Sequence, residues 1–268
     1  MFNKIGIIGL GVVGNAIFES FNIKGIKIIC YDKFKNGGID SLQDLLNCEL
    51  IFLCLPTFFD EEINMFNKYS INETCETLKK LDFNGLIVLK STVEPETTEK
   101  LSNKYSLRIC HNPEFLSAKT AFLDFHNQRH IVIGKGINCL DKDIELLKIF
   151  YSTYYPSSEI SICNSIESES MKIFCNSFYA SKIMLFNEYY LLCQKNNSDF
   201  NIIKNLMLKN NWINPMHTNI PGPDGNLAFG GVCFPKDTNA LLHYMKKYNS
   251  ESNVLESVIK ECNDIRNK

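Results

Sequence analysis

Cys233 is the residue of this chain best suited to covalent chemistry. It stands in Phe229-Gly230-Gly231-Val232-Cys233-Phe234-Pro235-Lys236-Asp237-Thr238, just ahead of a stretch, Asn239 to Lys247, that reads as a helix. Proline suits the first helical position because its missing N–H is not needed there. The partial positive charge of a helix N-terminus favours thiolate over thiol, and the thiolate is the nucleophile. The glycine pair lets backbone approach a ligand closely. Taken alone, Cys233 reads more readily as a structural thiol, since the chain holds eleven cysteines. Its neighbours and the start of the chain turn the reading toward chemistry.

Gly9-Leu10-Gly11-Val12-Val13-Gly14 is a G-x-G-x-x-G run between an apolar strand and a helix. The first glycine allows the tight turn, the second admits a pyrophosphate to the backbone, and the third lets helix pack on strand. The phosphates then rest on a helix N-terminus. Asp32 ends the next strand, 18 residues past Gly14, where a carboxylate bonds a ribose 2′-hydroxyl. That carboxylate repels a 2′-phosphate and favours NAD over NADP, a preference that Lys33 and Lys35 blur. Three polar clusters close later strands: Pro56-Thr57, Ser91-Thr92 and Asn112-Pro113-Glu114. Each alone reads as a turn. Together they line the rim of strand ends where open α/β sheets bind ligands.

The elements that must carry these residues alternate. Lys4–Leu10, Lys27–Tyr31, Leu50–Leu55, Leu86–Lys90, Leu107–Cys110, His130–Ile133 and Glu159–Cys163 read as strands. Helices are expected at Val12–Asn22, Ser41–Asn47, from a Ser70/Glu73 capping box to Leu81, after Pro95, and at Asp141–Tyr151. This order predicts an α/β fold with a doubly wound parallel sheet, a Rossmann-like NAD domain over residues 1–165. A mainly helical domain follows over 166–268. Its long central helix runs Ile166 to Asn196, with further helices at Asn201–Lys209, Asn239–Lys247 and Val254–Arg266. The 268 residues are 45% hydrophobic with a net charge of −2, which gives no basic surface for nucleic acid or an anionic membrane. No run reaches the length of a membrane span, no signal peptide precedes the first strand, and no Cys/His spacing fits a metal. Reduced thiols and a cytoplasmic location are expected.

These blocks resemble the UDP-glucose/GDP-mannose dehydrogenase family. The matching residues are Gly9–Gly14, Leu55-Pro56-Thr57, Ser91-Thr92-Val93 and Asn112-Pro113-Glu114-Phe115-Leu116. They continue with Lys172, Asn176, Lys182-Ile183 and Asn187-Glu188, and end with Gly222-Pro223-Asp224-Gly225 leading into Phe229–Thr238. The resemblance implies oxidation of a nucleotide sugar at C6, from alcohol to carboxylate, with two NAD. Cys233 would form a thiohemiacetal and then a thioester, which forms easily and hydrolyses easily. Lys172 and Asn176, four apart on one helix face, suit donors aimed at an oxyanion. Asp237 would hold a water or take the alcohol proton, together with Lys172. Glu114 and Thr92 would position the hydrolytic water. The cofactor would rest on Gly9, Gly11, Val12, Val13, Gly14, Asp32, Thr57, Ser91 and Lys236. The sugar would meet Phe115, Leu116, Lys172, Asn176, Phe229 and Gly230.

Three departures from the family pattern stand out. The chain ends at Lys268, where relatives continue into a UDP-binding domain, so that domain is expected to be absent. Ala118 replaces a second glutamate, and Trp212 stands where an arginine precedes Ile213-Asn214-Pro215. The Asp32–Leu50 segment is also short. UDP-glucose to UDP-glucuronate is the favoured reading. A sibling acting on GDP-mannose or a UDP-N-acetylhexosamine, a non-catalytic NAD-binding relic, and a single-step hydroxyacid dehydrogenase remain open. A homodimer is expected through the 166–196 helix, whose apolar residues exceed one stripe.

Overall fold

The computed structural model describes residues 2–35 and 41–267. Part of the short Asp32–Leu50 segment, residues 36–40, lies outside the described residues. The elements in order are β1 (Ile5–Ile8), α1 (Val12–Ile23), β2 (Ile28–Tyr31), a 3-10 turn (Leu42–Asn47), β3 (Leu50–Leu53), β4 (Phe59–Asp60) and β5 (Met65–Phe66). Then come α2 (Tyr69–Lys80), β6 (Leu86–Leu89), α3 (Thr97–Tyr105), β7 (Arg108–His111), α4 (Ala121–His126), β8 (His130–Lys135), α5 (Asp141–Tyr154) and β9 (Glu159–Asn164). Four helices close the chain: α6 (Ser165–Asn196), α7 (Phe200–Leu208), α8 (Phe234–Lys247) and α9 (Asn253–Arg266). Contacts divide it into two compact units, Met1–Phe58 with Asn67–Lys172, and Phe59–Phe66 with Ile173–Lys268.

The first unit is built on a seven-stranded sheet in the order β2-β1-β3-β6-β7-β8-β9. Strand runs such as Leu50–Leu53 and Leu86–Leu89 are buried at every position, because helices cover both faces of a sheet of this kind. Phe52 and Val88 pack on one side with Phe21 of α1 and Phe150 of α5. Ile51 and Ile87 pack on the other with Leu78 of α2 and Leu101 of α3. Burying each such side chain contributes about 1.5–3 kcal/mol. The chain moves outward from β1 to β2, then crosses to β3 on the far side of β1. The topological switch therefore falls between β1 and β3, where the glycine run leaves β1.

The sheet is not wholly parallel. β8 runs antiparallel to β7. Only α4 lies between them. This helix has six residues, and its short span of about 9 Å goes with β8 entering the sheet from the end at which β7 leaves it. The expected Ser70/Glu73 capping box also does not form. Helix α2 begins at Tyr69, whose N–H donates to Asn67 Oδ1 at 2.9 Å, and Glu73 pairs with Lys33 at 3.0 Å. Glu169 of α6 serves another helix end. Its Oε1 accepts from Thr98 N at 2.7 Å and Thr98 Oγ1 at 2.6 Å in the first turn of α3. Burial pushes the Glu169 carboxyl up to about 7.

The second unit is helical apart from the β4–β5 hairpin, which pairs Phe59 with Phe66 and Asp60 with Met65. Strands of two residues leave no periodicity in a sequence, so the hairpin carries no local signal. Phe66 packs with Ile173 of α6, Leu241 of α8 and Ile259 of α9. Leu255, Ile259 and Cys262 are the buried side chains of α9, at helical spacing. Asp199 caps α7 by accepting from Asn201 N and Ile202 N.

Candidate active site

The glycine run has the geometry of a ligand cradle. Gly9 has φ +88°, and a Cβ there would lie 2.4 Å from Cys54 O. A Cβ on Gly14 would lie 1.9 Å from Gly9 O, so helix and strand approach here as only glycine allows. Gly11 differs: a Cβ there would meet nothing within 4 Å. The protein's own packing does not require glycine at that position, and the backbone there stays open to the close approach of a ligand. Gly11 is the residue before α1, so the amides of Val12, Val13 and Gly14 open the helix without intrahelical acceptors. Asp32 ties the turn to the end of β2. Its Oδ2 accepts from Leu10 N at 2.7 Å, and its Oδ1 from Phe34 N and Lys35 N. Burial raises the Asp32 carboxyl, but these three amides and Lys35 outweigh it and hold it below the ordinary value. Oδ2 keeps a lone pair for a further donor such as a ribose hydroxyl. The residues present fit a dinucleotide.

The rim of strand ends is held by short hydrogen bonds. Thr57 Oγ1 donates to Thr92 O at 2.8 Å, and Ser91 Oγ donates to Leu55 O at 2.6 Å. Beyond β7, Lys172 Nζ donates to Glu114 O at 2.6 Å and stands 3.7 Å from Glu114 Oε2. It also lies 5.3 Å from the centre of the Phe115 ring. Glu114 Oε2 is buried and accepts no hydrogen bond, which leaves an acceptor for a water or ligand. The Leu116 side chain packs against the sheet core, so only its backbone is available to a ligand. Ser168 of α6, four residues before Lys172 and on the same face, meets His111 Nδ1 at 2.8 Å. Burial, with Lys90 and Lys172 adding to it, pushes His111 down to about 3 and keeps it neutral. The sequence pattern places Lys90 only at the end of a strand. It is almost wholly buried, and its Nζ donates to Asn112 Oδ1 at 2.9 Å. A lysine closing the apolar run Leu86–Leu89 was the signal that could have marked it.

In the second unit, α8 starts at Phe234, five residues earlier than the sequence suggests. Pro235 falls within the first turn, and Cys233 is the exposed cap residue itself. The early start follows from Phe-Pro-Lys-Asp being compatible with a first turn and from Asp237 N donating to Cys233 O at 3.0 Å. Asp237 is fully buried. Its Oδ2 accepts from Asn176 Nδ2 at 2.5 Å and its Oδ1 from Lys236 Nζ at 2.6 Å. Lys236 Nζ also sits 4.5 Å above the Phe66 ring. One Asn176 N–H is therefore spent on Asp237, and the second remains for an oxyanion. The Phe229 side chain is buried beside Met184 and Cys262, which leaves its backbone for any ligand. A Cβ on Gly230 would lie 2.6 Å from the Arg266 guanidinium, which also bonds Asp224 Oδ2 at 2.8 Å. The expected site residues thus fall into two sets. Glu114 and Lys172 meet in the first unit, whereas Asn176, Lys236 and Asp237 meet in the second.

Residues 36–154 match the NAD binding domain of the UDP-glucose/GDP-mannose dehydrogenase family, and residues 166–264 match its central domain. The chain belongs to this family, and its first unit is an NAD-binding domain. The chain is 28% identical to UDP-glucose 6-dehydrogenase of Campylobacter jejuni, over 99% of its own length and 73% of the relative's. It is 33% identical to UDP-glucose 6-dehydrogenase YwqF of Bacillus subtilis, over 83% of its length and 50% of the relative's. The chain thus spans about half of the latter. A UDP-glucose dehydrogenase from Pyrobaculum islandicum shares the fold with a TM-score of 0.85 at 21% identity, over 98% of this chain and 68% of that one. Among the described residues, no helix is long and apolar enough to cross a membrane.

The cradle makes a testable separation. Gly11→Ala should melt as the wild type does, yet bind NAD at least about tenfold more weakly by calorimetry. Gly14→Ala should lose about 1–3 kcal/mol or more of stability, because its methyl has no space. Unchanged NAD affinity in Gly11→Ala would remove the cradle from this turn.

Proposed function

We propose that this chain is a nucleotide-sugar dehydrogenase that oxidises UDP-glucose at C6 to UDP-glucuronate. The observation that carries the reading is an exposed Cys233 capping α8, one turn from a buried Asp237 held by Asn176 and Lys236. A relic that only bound NAD would have no use for a thiol so placed. UDP-glucose is favoured by the names of the curated relatives. The family description leaves GDP-mannose as the alternative substrate.

NAD, when bound, would supply the hydride acceptor, one equivalent for each of the two oxidations at C6. In the first oxidation, Asp237 takes the alcohol proton through a water, and Lys172 and Asn176 stabilise the oxygen as its charge develops. The Cys233 sulfur then bonds the aldehyde carbon, and the carbonyl oxygen gains a proton to give a thiohemiacetal. Loss of the second hydride and of the hydroxyl proton leaves a thioester on Cys233. Glu114, with Thr92, orients a water and takes its proton as the oxygen attacks. The carbon–sulfur bond breaks, and carboxylate and thiol are released. Gly9, Gly11, Val12, Val13, Gly14 and Asp32 hold the dinucleotide, with Thr57 and Ser91 at the rim, and the family resemblance adds Lys236. Phe115 and the backbone of Leu116, Phe229 and Gly230 hold the sugar. The reaction belongs in the cytoplasm, where the eleven thiols stay reduced.

A second copy of the chain fits the long helix. Phe174, Phe178, Leu185 and Leu192 of α6 recur on one face and are each about half exposed or more, an apolar stripe that a monomer would leave wet. Sedimentation at micromolar concentration should find twice the chain mass, and a monomer there would refute the dimer.

Incubating the protein with NAD and a panel of nucleotide sugars tests the reaction. Two NADH per UDP-glucose are expected. Cys233→Ala should form no uronate while keeping NAD affinity. One NADH per sugar, with full turnover in Cys233→Ala, would point instead to a single-step dehydrogenase, and turnover of GDP-mannose alone would move the substrate.

A further inference from the structure

Lys90 is a cation in a place where the sheet has no need of one. It follows β6 directly and is 2% exposed. Its surroundings are the Phe125 ring, 5.7 Å from Nζ, and Asn112 Oδ1 at 2.9 Å. Among the described residues it forms no ion pair. A buried ammonium without one costs several kcal/mol, and an apolar side chain of equal length would serve the fold as well or better.

What the ammonium does hold is one amide. Asn112 Oδ1 accepts from Lys90 and also from Tyr151 OH, at 2.5 Å. Asn112 Nδ2 donates to Val132 O at 2.6 Å, and its backbone N–H to Leu89 O at 2.9 Å. The side chain is fixed on every side. Two residues later comes Glu114, whose buried Oε2 accepts no hydrogen bond. A charge-assisted hydrogen bond is roughly twice as strong as a neutral one. The ionised lysine therefore grips the start of this turn harder than a neutral group could.

We propose that Lys90 is a positioning residue for thioester hydrolysis, its charge acting through Asn112 to hold the turn that aims Glu114 at the water. This rests on the reaction proposed above. Burial lowers Lys90 to about 8, while Glu114 and Cys54 oppose that shift and Lys172 adds to it. Lys90 is thus charged below that pH and neutral above it, and the grip on Asn112 weakens as pH rises. Other groups facing it stay silent in this range. Burial pushes Cys54 up to about 12 and raises Cys110 and Tyr151 well above their ordinary values. Glu114 and Lys172 are the remaining charges that face it, and a Lys90 variant separates the effect of the Lys90 charge from theirs.

The test is the lifetime of the acyl-enzyme after mixing with UDP-glucose and excess NAD, followed by quenched-flow mass measurement from about pH 6 to about pH 9. Wild-type hydrolysis should slow as pH passes about 8. Lys90→Met should hydrolyse about tenfold more slowly or worse, with no alkaline fall and with unchanged NAD affinity. Lys90→Gln, which keeps a donor but no charge, should do the same if Lys90→Met fails to fold. Tyr151→Phe removes the other donor to Asn112 and should retain the alkaline fall. Wild-type hydrolysis rates in the Lys90 variants, an alkaline fall that survives in them, or its loss in Tyr151→Phe would overturn the role of the Lys90 charge. Absence of any acyl-enzyme in the wild type would overturn the reaction itself and this role with it.

Discussion

Burying a carboxylate is costly unless it is paired and hydrogen-bonded, and Asp237 has a partner for each oxygen in Asn176 and Lys236. Removing one partner from such an arrangement costs about 3–5 kcal/mol. The consequence reaches Cys233. Asp237 N donates to Cys233 O, so the residue whose side chain is locked also closes the helical turn behind the cysteine. Asn176 comes from α6, which ties the start of α8 to the long helix. The carboxylate also lies in the first turn of α8, where negative charge is favoured. Lys236 and Asp237 are sequence neighbours that point apart on an ideal helix. The long lysine side chain folds back over the Phe66 ring to reach the carboxylate.

The first unit answers a different demand. Its central strands, such as Leu50–Leu53 and Leu86–Leu89, are apolar at every position because helices cover both faces, and this pushes polar residues to the strand ends. Thr57, Ser91, Thr92, Asn112 and Glu114 all follow strands for this reason. Three of them are fixed by hydrogen bonds to backbone. Thr57 is pinned to Thr92 O, Ser91 to Leu55 O and Asn112 to Val132 O. Side chains fixed by the scaffold can orient a ligand without first being ordered by it.

Much of this was legible in the chain because buried strands and glycine turns are local signals. Leu50–Leu53 and Leu86–Leu89 are uninterrupted apolar runs, and the roles of Gly9 and Gly14 follow from backbone spacing alone. What escaped depends on tertiary partners. Strands as short as Phe59–Asp60 and Met65–Phe66 cannot display alternation. The six residues of α4 are too few to show helical periodicity, and with α4 went the reversed direction of β8. Ser70 and Glu73 had capping-box spacing, but Asn67 reached the first amide and Lys33 took the glutamate. In the site, Lys90 looked like the polar end of a strand, since only the fold closes Phe125, Asn112 and Tyr151 around it. The Asn176–Asp237 bond joins residues 61 positions apart, a distance that no local pattern spans.

In the proposed reaction, substrate becomes bonded to one sulfur. The most direct measurement of that bond uses Glu114→Gln, in which hydrolysis should stall while both oxidations proceed. Mixed with UDP-glucose and NAD, this variant should gain the mass of a uronyl group, and peptide mapping should place that mass on Cys233. Two equivalents of NADH with no covalent adduct, or an adduct on any of the other ten cysteines, would contradict the account.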